Sequence, residues 1–360
     1  MNYYRHIDRS RVQFDFIVDS DSTLVPRAEI ESLGGRVFEV PPYQKLPAYR
    51  RALRELFCRE RWQIVHSHIN ALSVFPLQVA KRAGVPVRIA HSHSTAGRGE
   101  YAKNALKAVL RRFSNVYPTH RFACSEYAGR WLFGEGADFE VVYNAIELDR
   151  FAFDAEVRAE ARAELGLVGD QLAVGHVGRF TAQKNHMFLV AAFAEVLKRR
   201  PDAVLLLAGD GELRPLVERW VNEHGVAESV RFLGQRDDVE RLYQAFDVFV
   251  LPSLYEGLGM VAIEAQVSGL PCLLADTITH EVDVTGAVRF LPIDDVDLWA
   301  NRLVEYSAGV RYKASRAQFE QYEIAYAANR LQKSYAVLAQ NAGADNHSMN
   351  NESLGSDEHE

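Results

Sequence analysis

Short apolar runs and longer amphipathic stretches alternate along almost the whole chain. In the first half, β-rich runs occur at VQFDFIVDS, RVFEVPP, QIVHSH, VPVRIAHSHS and RFACS, and stretches of helical periodicity separate them. The alternation starts again after a charged helical stretch from Glu156 to Leu165, with QLAVGHVGRF, AVLLLAG, VRFLG, DVFVLPS and PCLLAD. Strands that alternate with helices form βαβ units and parallel sheets. The pattern therefore predicts two doubly wound α/β domains.

The apolar periodicity is interrupted near residues 143–153, where Asn144 stands between the two series of strands. We place the domain boundary there, with an N-terminal domain at 1–146 and a C-terminal domain at 147–340. Two domains are also what 360 residues favour, because single cores rarely grow beyond about 250–300 residues. The last helical stretch, Ala314 to Gln340, follows the final strand and could pack back on the N-terminal domain.

Composition changes this picture mainly at the C-terminus. The formal charge is −7, but five acidic residues and no Lys or Arg lie in 341–360, so that the rest of the chain carries only −2. Because this acidic tail has no aromatic and almost no aliphatic residue, we predict that it is disordered. Neither the charge nor its distribution favours nucleic acid as a partner.

The cysteines and the hydropathy indicate a cytoplasmic protein. Cys58, Cys124 and Cys272 are odd in number and lack the spacing of metal ligands, which is typical of a reducing compartment. No apolar run approaches the roughly 18 residues that span a bilayer, and the polar start MNYYRHIDRS is unlike a signal peptide. Any membrane contact, at the inner face of the plasma membrane, would be peripheral.

The segment DVFVLPSLYEGLGMVAIEAQVSGLPCLLAD predicts a strand, a turn, a helix and a second strand. Ligands bind outside the carboxyl ends of parallel strands, and a helix N-terminus favours phosphate. Gly257 and Gly259 would let the backbone approach such a ligand closely. Carboxylates accept paired sugar hydroxyls, so Glu264 suits a ribose and Glu256 the hexose of a nucleotide sugar. The alternative is that both glutamates are solvated surface charges.

Two cations follow an earlier strand at the same predicted sheet edge. In VGRFTAQKNH, Arg179 and Lys184 lie on the loop after LAVGHVG, where they could neutralise a diphosphate leaving group without a metal. The alternative is that they are ordinary surface cations. GDGEL at 209–213 is a third loop of this kind, but Arg214 stands where a dinucleotide fingerprint needs its last glycine, and no Walker lysine pattern occurs. NAD and ATP sites are therefore not supported.

These motifs resemble the retaining glycosyltransferase family four, and among its members bacterial exopolysaccharide and capsule glycosyltransferases. The E-x7-E signature of the family is matched by Glu256 and Glu264, and its donor-phosphate Arg and Lys by Arg179 and Lys184. The resemblance implies a GT-B fold, in which two Rossmann-like domains face a cleft that holds a nucleotide-diphosphate sugar. It also implies retention of anomeric configuration and no metal or other cofactor.

The resemblance also suggests which residues contact the donor and the transferred sugar. The donor-binding candidates are Arg179, Lys184, Gly257, Leu258, Gly259, Met260, Val261 and Glu264, with Gly178, Asn144 and Gly209 as further candidates. The family places a histidine near the transferred sugar, and His93 of RIAHSHS fits that position best, so His93 and Glu256 are the catalytic candidates. His91 lies on the same face of the strand. His66 and His68 of IVHSH could occupy a similar position at the end of a strand. For each of these four histidines, the alternative is a loop or capping role.

The chain departs from the family pattern at its start. Family members open with a strand and a GG-containing loop before a helix like MNYYRHIDR, whereas this chain opens with the helix. Either the start codon was placed too late or the chain is a shortened form. The residues of this sequence lack the first strand of the N-terminal domain, and a truly shortened chain would lose this central strand of its first sheet.

Residues 101–117 predict a basic amphipathic helix. Lys103, Lys107 and Arg111 recur at helical spacing, and apolar residues such as Leu110 occupy the other side. Such a helix could rest on anionic lipid and bring the site to a lipid-linked acceptor. The alternative is an ordinary surface helix docked on its sheet.

The sequence therefore predicts a retaining hexosyltransferase. It would move a hexose from a nucleotide-diphosphate sugar, with UDP preferred, to a lipid-linked or saccharide acceptor in exopolysaccharide or capsule biosynthesis. The alternatives are a non-catalytic nucleotide-sugar-binding subunit and a nucleotide-sugar epimerase of the same fold.

Overall fold

The computed structural model describes residues 1–93 and 101–354 of the chain. The chain divides into two compact units. The first unit contains Met1–His93, Ala102–Ala145 and the C-terminal helix that begins at Ile324, and the second unit contains Ile146–Glu323.

The strands of the first unit are all parallel and form two separate sheets. The first sheet has two strands, β1 (Phe16–Asp19) and β2 (Val37–Val40). The second sheet has four strands in the order β3 (Ile64–Ser67), β4 (Val87–Ser92), β5 (His120–Ala123) and β6 (Glu140–Val141). In a doubly wound sheet of order 3-2-1-4-5-6, loss of strand 1 separates strands 2 and 3 from the rest. The split therefore agrees with the expected absence of the central strand.

Six helices of the first unit connect or precede these strands. They are α1 (Asn2–His6), α2 (Arg27–Ser32), α3 (Leu46–Glu60), α4 (Val74–Arg82), α5 (Tyr101–Arg111) and α6 (Glu126–Phe133). The core beside β4 is aromatic, because Tyr4 of α1 packs against Phe14 and Phe16 with ring centroids 5.3 and 5.2 Å away. The helical start of the chain is thus anchored by a large apolar side chain.

The second unit is a single parallel sheet of six strands. Its order is β12 (Val288–Leu291), β11 (Cys272–Ala275), β10 (Val248–Leu251), β7 (Ala173–Val177), β8 (Val204–Ala208) and β9 (Val230–Gly234). Its helices are α7 (Leu148–Phe151), α8 (Ala155–Glu164), α9 (His186–Leu197), α10 (Arg214–Glu223), α11 (Val239–Ala245), α12 (Met260–Val267) and α13 (Val296–Leu303). The direction of winding reverses between β7 and β10, and ligands of doubly wound sheets bind at this switch point.

The apolar runs of the second unit are continuous because both faces of its sheet are covered. All residues of β8, β10 and β11 are buried, as expected for strands of a parallel sheet between two layers of helices. Each unit is therefore a doubly wound α/β structure, which confirms the predicted fold class.

The last helix, α14 (Ile324–Leu354), belongs to the first unit. The prediction of a helix from Ala314 was wrong at its start, because residues 316–322 form a 3₁₀ helix that begins at a capping box of Ser315 and Gln318. Helical backbone extends over 341–354 of the tail predicted to be disordered, and 355–360 lie outside the described residues.

Candidate functional site

The loops after β7 and β10 meet through an ion pair between Lys184 and Glu256. The Lys184 Nζ lies 2.6 Å from Glu256 Oε1, and both side chains are largely buried, with 14% and 9% of their surface exposed. Gln183 adds a second link, since its Nε2 donates to Tyr255 O at 3.0 Å and to Glu256 Oε2 at 3.2 Å. The structure thus brings together two predicted site residues that lie far apart in the sequence, and it pairs them with each other.

Arg179 lies on the same loop as Lys184, and its side chain is exposed. This loop therefore carries one cation held by Glu256 and one that is exposed. Both follow the carboxyl end of β7, at the switch point of the sheet. The arrangement suits a diphosphate, which carries more than one negative charge.

The turn before α12 gives the helix N-terminus no side-chain cap. Gly259 has a φ of +87° and directly precedes the first residue of α12, Met260. A side chain is strained in this left-handed conformation. Leu258 is buried, with 2% exposed, so it would present backbone rather than side chain to a ligand. Gly257 is buried as well, whereas Met260 and Val261 are half-buried.

Glu264 lies in α12, where the phenolic hydroxyl of Tyr243 donates to its Oε2 at 2.8 Å. Burial raises the pKa of the Glu264 carboxyl to about 7, and the hydrogen bond from Tyr243 and the charge of Arg150 oppose this shift. A carboxyl group with this pKa changes its charge near neutral pH, and it can accept hydroxyl hydrogen bonds fully only when ionised.

Gly178 and Gly209 serve the packing of two loops. A Cβ atom at Gly209 would lie 2.1 Å from Gly178 O, and the φ of Gly209 is +134°. At Gly178 a Cβ atom would lie 3.2 Å from Lys184 Cδ. Close approach of backbone to backbone is a common reason for glycine. Here the close approach of Gly209 to Gly178 fixes the path of the loop that carries Arg179 and Lys184.

The first unit brings His66, His68, His91 and His93 into one cluster, which we call the histidine cluster. His91 and His93 stack with centroids 4.0 Å apart, and the His93 backbone N–H donates to Asn70 Oδ1 at 2.6 Å. Burial lowers the pKa of His93 to about 4, so its imidazole is neutral at physiological pH. Asn144 also belongs to the first unit, after β6, and is half-buried.

Comparison with known proteins identifies the family. The model described as "Glycosyl transferase 4-like domain" matches residues 1–145, and the model described as "Glycosyl transferases group 1" matches residues 171–308. EpsF of Bacillus subtilis (strain 168), which is named as a glycosyltransferase, is 38% identical over 327 residues, 87% of this chain and 84% of EpsF. The chain belongs to glycosyltransferase family four. It is therefore a transferase enzyme.

One further relative of this glycosyltransferase and one solved structure of similar fold are informative. The UDP-Gal:alpha-D-GlcNAc-diphosphoundecaprenol alpha-1,3-galactosyltransferase of Escherichia coli is 27% identical over 266 residues, 70% of this chain and 68% of that protein. The crystal structure of HepE from Anabaena in complex with UDP and glucose matches with a TM-score of 0.74 at 17% identity, over 89% of this chain and 91% of that one. The structural match confirms the expected GT-B fold.

The predicted amphipathic helix of the glycosyltransferase is shorter than expected, because α5 ends at Arg111. Its guanidinium stacks on the ring of Trp131, 4.6 Å from the centroid, while Leu110 is buried at 7% exposed. Four other apolar side chains on or after α5 are exposed by 45 to 55%, namely Leu106, Val109, Phe113 and Val116. The Lys103 side chain lies outside the described residues. Among the described residues, no helix combines the length and apolar character needed to cross a bilayer.

Sequence reasoning missed the residues that support the loop carrying Arg179 and Lys184 in this glycosyltransferase. His176 of β7 is buried and its Nδ1 lies 2.8 Å from Val250 O, and the buried His186 stacks on Phe180 at 4.0 Å. Burial lowers the pKa of His176 to about 4 and that of His186 to about 2, so both rings are neutral. The segment GHVGRFTAQKNH contains His176, Phe180 and His186. The spacing of these residues does not show that their rings pack beneath the loop.

Proposed function

We propose that this glycosyltransferase moves a hexose from a UDP-sugar to a lipid-linked or saccharide acceptor in exopolysaccharide or capsule biosynthesis, with retention of anomeric configuration. The observation that carries the proposal is the pair of Lys184 and Glu256 beside the uncapped N-terminus of α12, at the switch point of the second unit. Lys184 provides charge for a diphosphate, and Glu256 provides an acceptor for sugar hydroxyls.

The names of relatives support the finer parts of the proposal. The Escherichia coli relative is named for UDP-galactose and a diphosphoundecaprenol-linked acceptor, and HepE was crystallised with UDP and glucose. These names favour uridine as the base and a lipid diphosphate as the carrier of the acceptor.

In the proposed reaction, the bond between the anomeric carbon and the diphosphate oxygen breaks, and a bond to the acceptor oxygen forms on the same face of the sugar. Arg179, Lys184 and the amide groups at the start of α12 stabilise the departing diphosphate. The acceptor hydroxyl gives its proton to the leaving phosphate. Glu256 holds hydroxyl groups of the hexose, Glu264 those of the ribose, and His93 remains the candidate in the first unit for contact with the transferred sugar.

Lys184→Met tests the donor site, because it removes the charge while keeping the length of the side chain. Loss of a charge-assisted contact to phosphate costs about 1.5–3 kcal/mol, which corresponds to roughly a 10- to 100-fold weaker affinity for UDP. Titration calorimetry with UDP measures the change, and Lys198→Met, at an exposed cation paired with Glu195, is the matched control with unchanged affinity.

Three results would contradict the proposal: no heat with UDP, GDP or ADP sugars, equal binding by both lysine variants, or isomerisation of the sugar without any acceptor. The last result would instead favour an epimerase. Transfer to a diphosphate-linked lipid acceptor, with the anomeric proton coupling of the product as the readout, tests retention.

We also propose that the exposed apolar residues around α5 contact the membrane at its cytoplasmic face. Phe113 and Val116 are each about half exposed, and basic residues lie beside them at Lys107 and Arg112. The double change Phe113→Ser and Val116→Ser should lower co-sedimentation with anionic vesicles at least about fivefold, because buried apolar area drives interfacial binding. Leu24→Ser, at a side chain that is 90% exposed, is the control, and equal sedimentation of both variants would contradict this part.

A further inference from the structure

The two H-S-H sequences of the first unit place four imidazole rings side by side. Within each sequence the two histidines lie on the same face of the chain, so their rings stack at 4.1 Å for His66 and His68 and at 4.0 Å for His91 and His93. Between the sequences, His66 faces His91 and His68 faces His93, each pair with centroids 5.1 Å apart. Parallel pairing of β3 with β4 produces this array.

The nitrogen atoms of this array are close enough to share one ion. His66, His68 and His91 each offer one ring nitrogen, and these three atoms all lie within 4.8 Å of one another. His66 Nε2 and His91 Nδ1 lie 3.0 Å apart. Ligand nitrogens at about 2.0–2.1 Å from a tetrahedral zinc ion lie roughly 3.3 Å from each other. The lone pair of an imidazole nitrogen lies in the plane of its ring, and these rings are stacked. The rings must therefore turn out of the stack for their nitrogens to converge on one ion.

The surroundings of His66 resemble those of a metal ligand. Its Nδ1 lies 2.6 Å from the hydroxyl of Tyr335, a buried residue of α14. A hydrogen bond on the far ring nitrogen fixes the ring orientation and the tautomer, and metal-bound histidines almost always have such a partner. The near nitrogen, Nε2, is the one that faces His91.

The donor set selects the kind of ion. The three residues offer only imidazole nitrogens, which suit zinc, copper and nickel, whereas magnesium and calcium require oxygen ligands. His93 is adjacent, with Nε2 2.8 Å from His68 Nδ1. A fourth nitrogen from His93 would complete the tetrahedral set that structural zinc sites have.

We propose that His66, His68 and His91 form a binding site for one divalent transition-metal ion, with His93 adjacent to it. The ion would join the ends of β3 and β4, and no step of sugar transfer is assigned to it. The proposal is independent of the identity of the donor and the acceptor, because its test needs neither.

Zinc titration of the full chain, produced without a polyhistidine tag and freed of metal with EDTA, tests the proposal. We expect one Zn²⁺ per chain and a rise in melting temperature with Zn²⁺ concentration, since an ion that binds only the folded state stabilises it. With Co²⁺ as the probe, visible absorption bands of nitrogen-ligated, tetrahedral cobalt should appear.

His68→Gln and His91→Gln distinguish this site from other zinc-binding groups. His68 is exposed, so its replacement should leave the fold intact, which circular dichroism checks. We expect each variant to bind Zn²⁺ at least about tenfold more weakly and to lose the cobalt bands. His120→Gln, at a half-buried histidine of β5 outside the cluster, should bind like the original protein. No binding by the original protein, or binding unchanged in His68→Gln and His91→Gln, would overturn the proposal.

Discussion

At Glu264, burial and a hydrogen bond act on one carboxyl group in opposite directions. Burial dominates and raises its pKa to about 7, although the Tyr243 hydroxyl lowers it. An unfolded chain has a pKa near 4.5 at this position. The folded state therefore holds the proton more tightly, and this group contributes less to stability as the pH rises from about 4.5 to about 7.

Glu264→Gln should remove this pH dependence. Glutamine stays neutral and its carbonyl oxygen can still accept from Tyr243, so the variant should gain up to about 3 kcal/mol relative to the original protein at pH 8, with little difference at pH 4.5. Urea denaturation at the two pH values measures the gain. The same variant should bind UDP more weakly, and a gain that is equal at both pH values would contradict the account.

Gly209→Ala should destabilise the second unit strongly. The added Cβ would meet Gly178 O at 2.1 Å, and the backbone has a positive φ, so we expect a loss of at least about 2 kcal/mol. Gly136→Ala is the control, because a Cβ there meets nothing within 4 Å, and it should change stability by less than about 0.5 kcal/mol. Thermal unfolding compares the two, and equal melting temperatures would show that the two loops do not pack in this way.

At the scale of elements, Asp247 joins α8 to the start of β10. Its side chain is fully buried and pairs with Arg158 at 2.6 Å and Arg162 at 3.1 Å. It also accepts backbone hydrogen bonds from Ala173 at 2.8 Å and Gly309 at 2.9 Å. Each carboxylate oxygen of Asp247 therefore has one guanidinium and one backbone N–H as partners.

Asp247→Ala would leave two guanidinium groups near a buried position without their counter-charge. Such a change costs about 3–5 kcal/mol, and chemical denaturation should show it. Asp202→Ala, at an exposed carboxylate that pairs with Arg200, should cost less than about 1 kcal/mol. A similar small loss for both variants would mean that Asp247 is not the link between α8 and the sheet.

Comparison of the elements with the sequence shows which features the sequence predicts and which it does not. Periodicity and composition predicted β1 to β5 and β7 to β11, because parallel strands buried on two faces leave continuous apolar runs. They missed the two-residue strand β6 and the partly exposed strand β12. They did not predict the 3₁₀ helix at 316–322, because Phe319 and Tyr322 are three residues apart and that spacing fits either kind of helix. Nor did they predict the ion pair of Lys184 with Glu256, which depends on strand order and not on local sequence.

At the scale of the whole molecule, the donor-side candidates Arg179, Lys184, Glu256 and Glu264 all belong to the second unit, whose six-stranded sheet is complete by itself. The first unit instead draws on both ends of the chain, since Tyr4 and Phe14 pack in one cluster with Leu331 and Tyr335 of α14.

The fragment 146–323 should therefore unfold cooperatively and bind UDP within about tenfold of the affinity of the full chain. The fragment 1–145 lacks α14, so its aromatic cluster is incomplete, and it should show no cooperative thermal transition. Circular dichroism during heating distinguishes the two. Cooperative unfolding of 1–145 would show that α14 is dispensable for the first unit.

The return of the chain to its first unit through α14 has a consequence for synthesis on the ribosome. The second unit is finished when residue 323 has left the exit tunnel, whereas the first unit must wait for the last helix. Nascent chains generally fold domain by domain from the N-terminus, but here the later unit should be native first. Until α14 has emerged, the aromatic surface around Tyr4 stays uncovered and would be a natural binding site for chaperones.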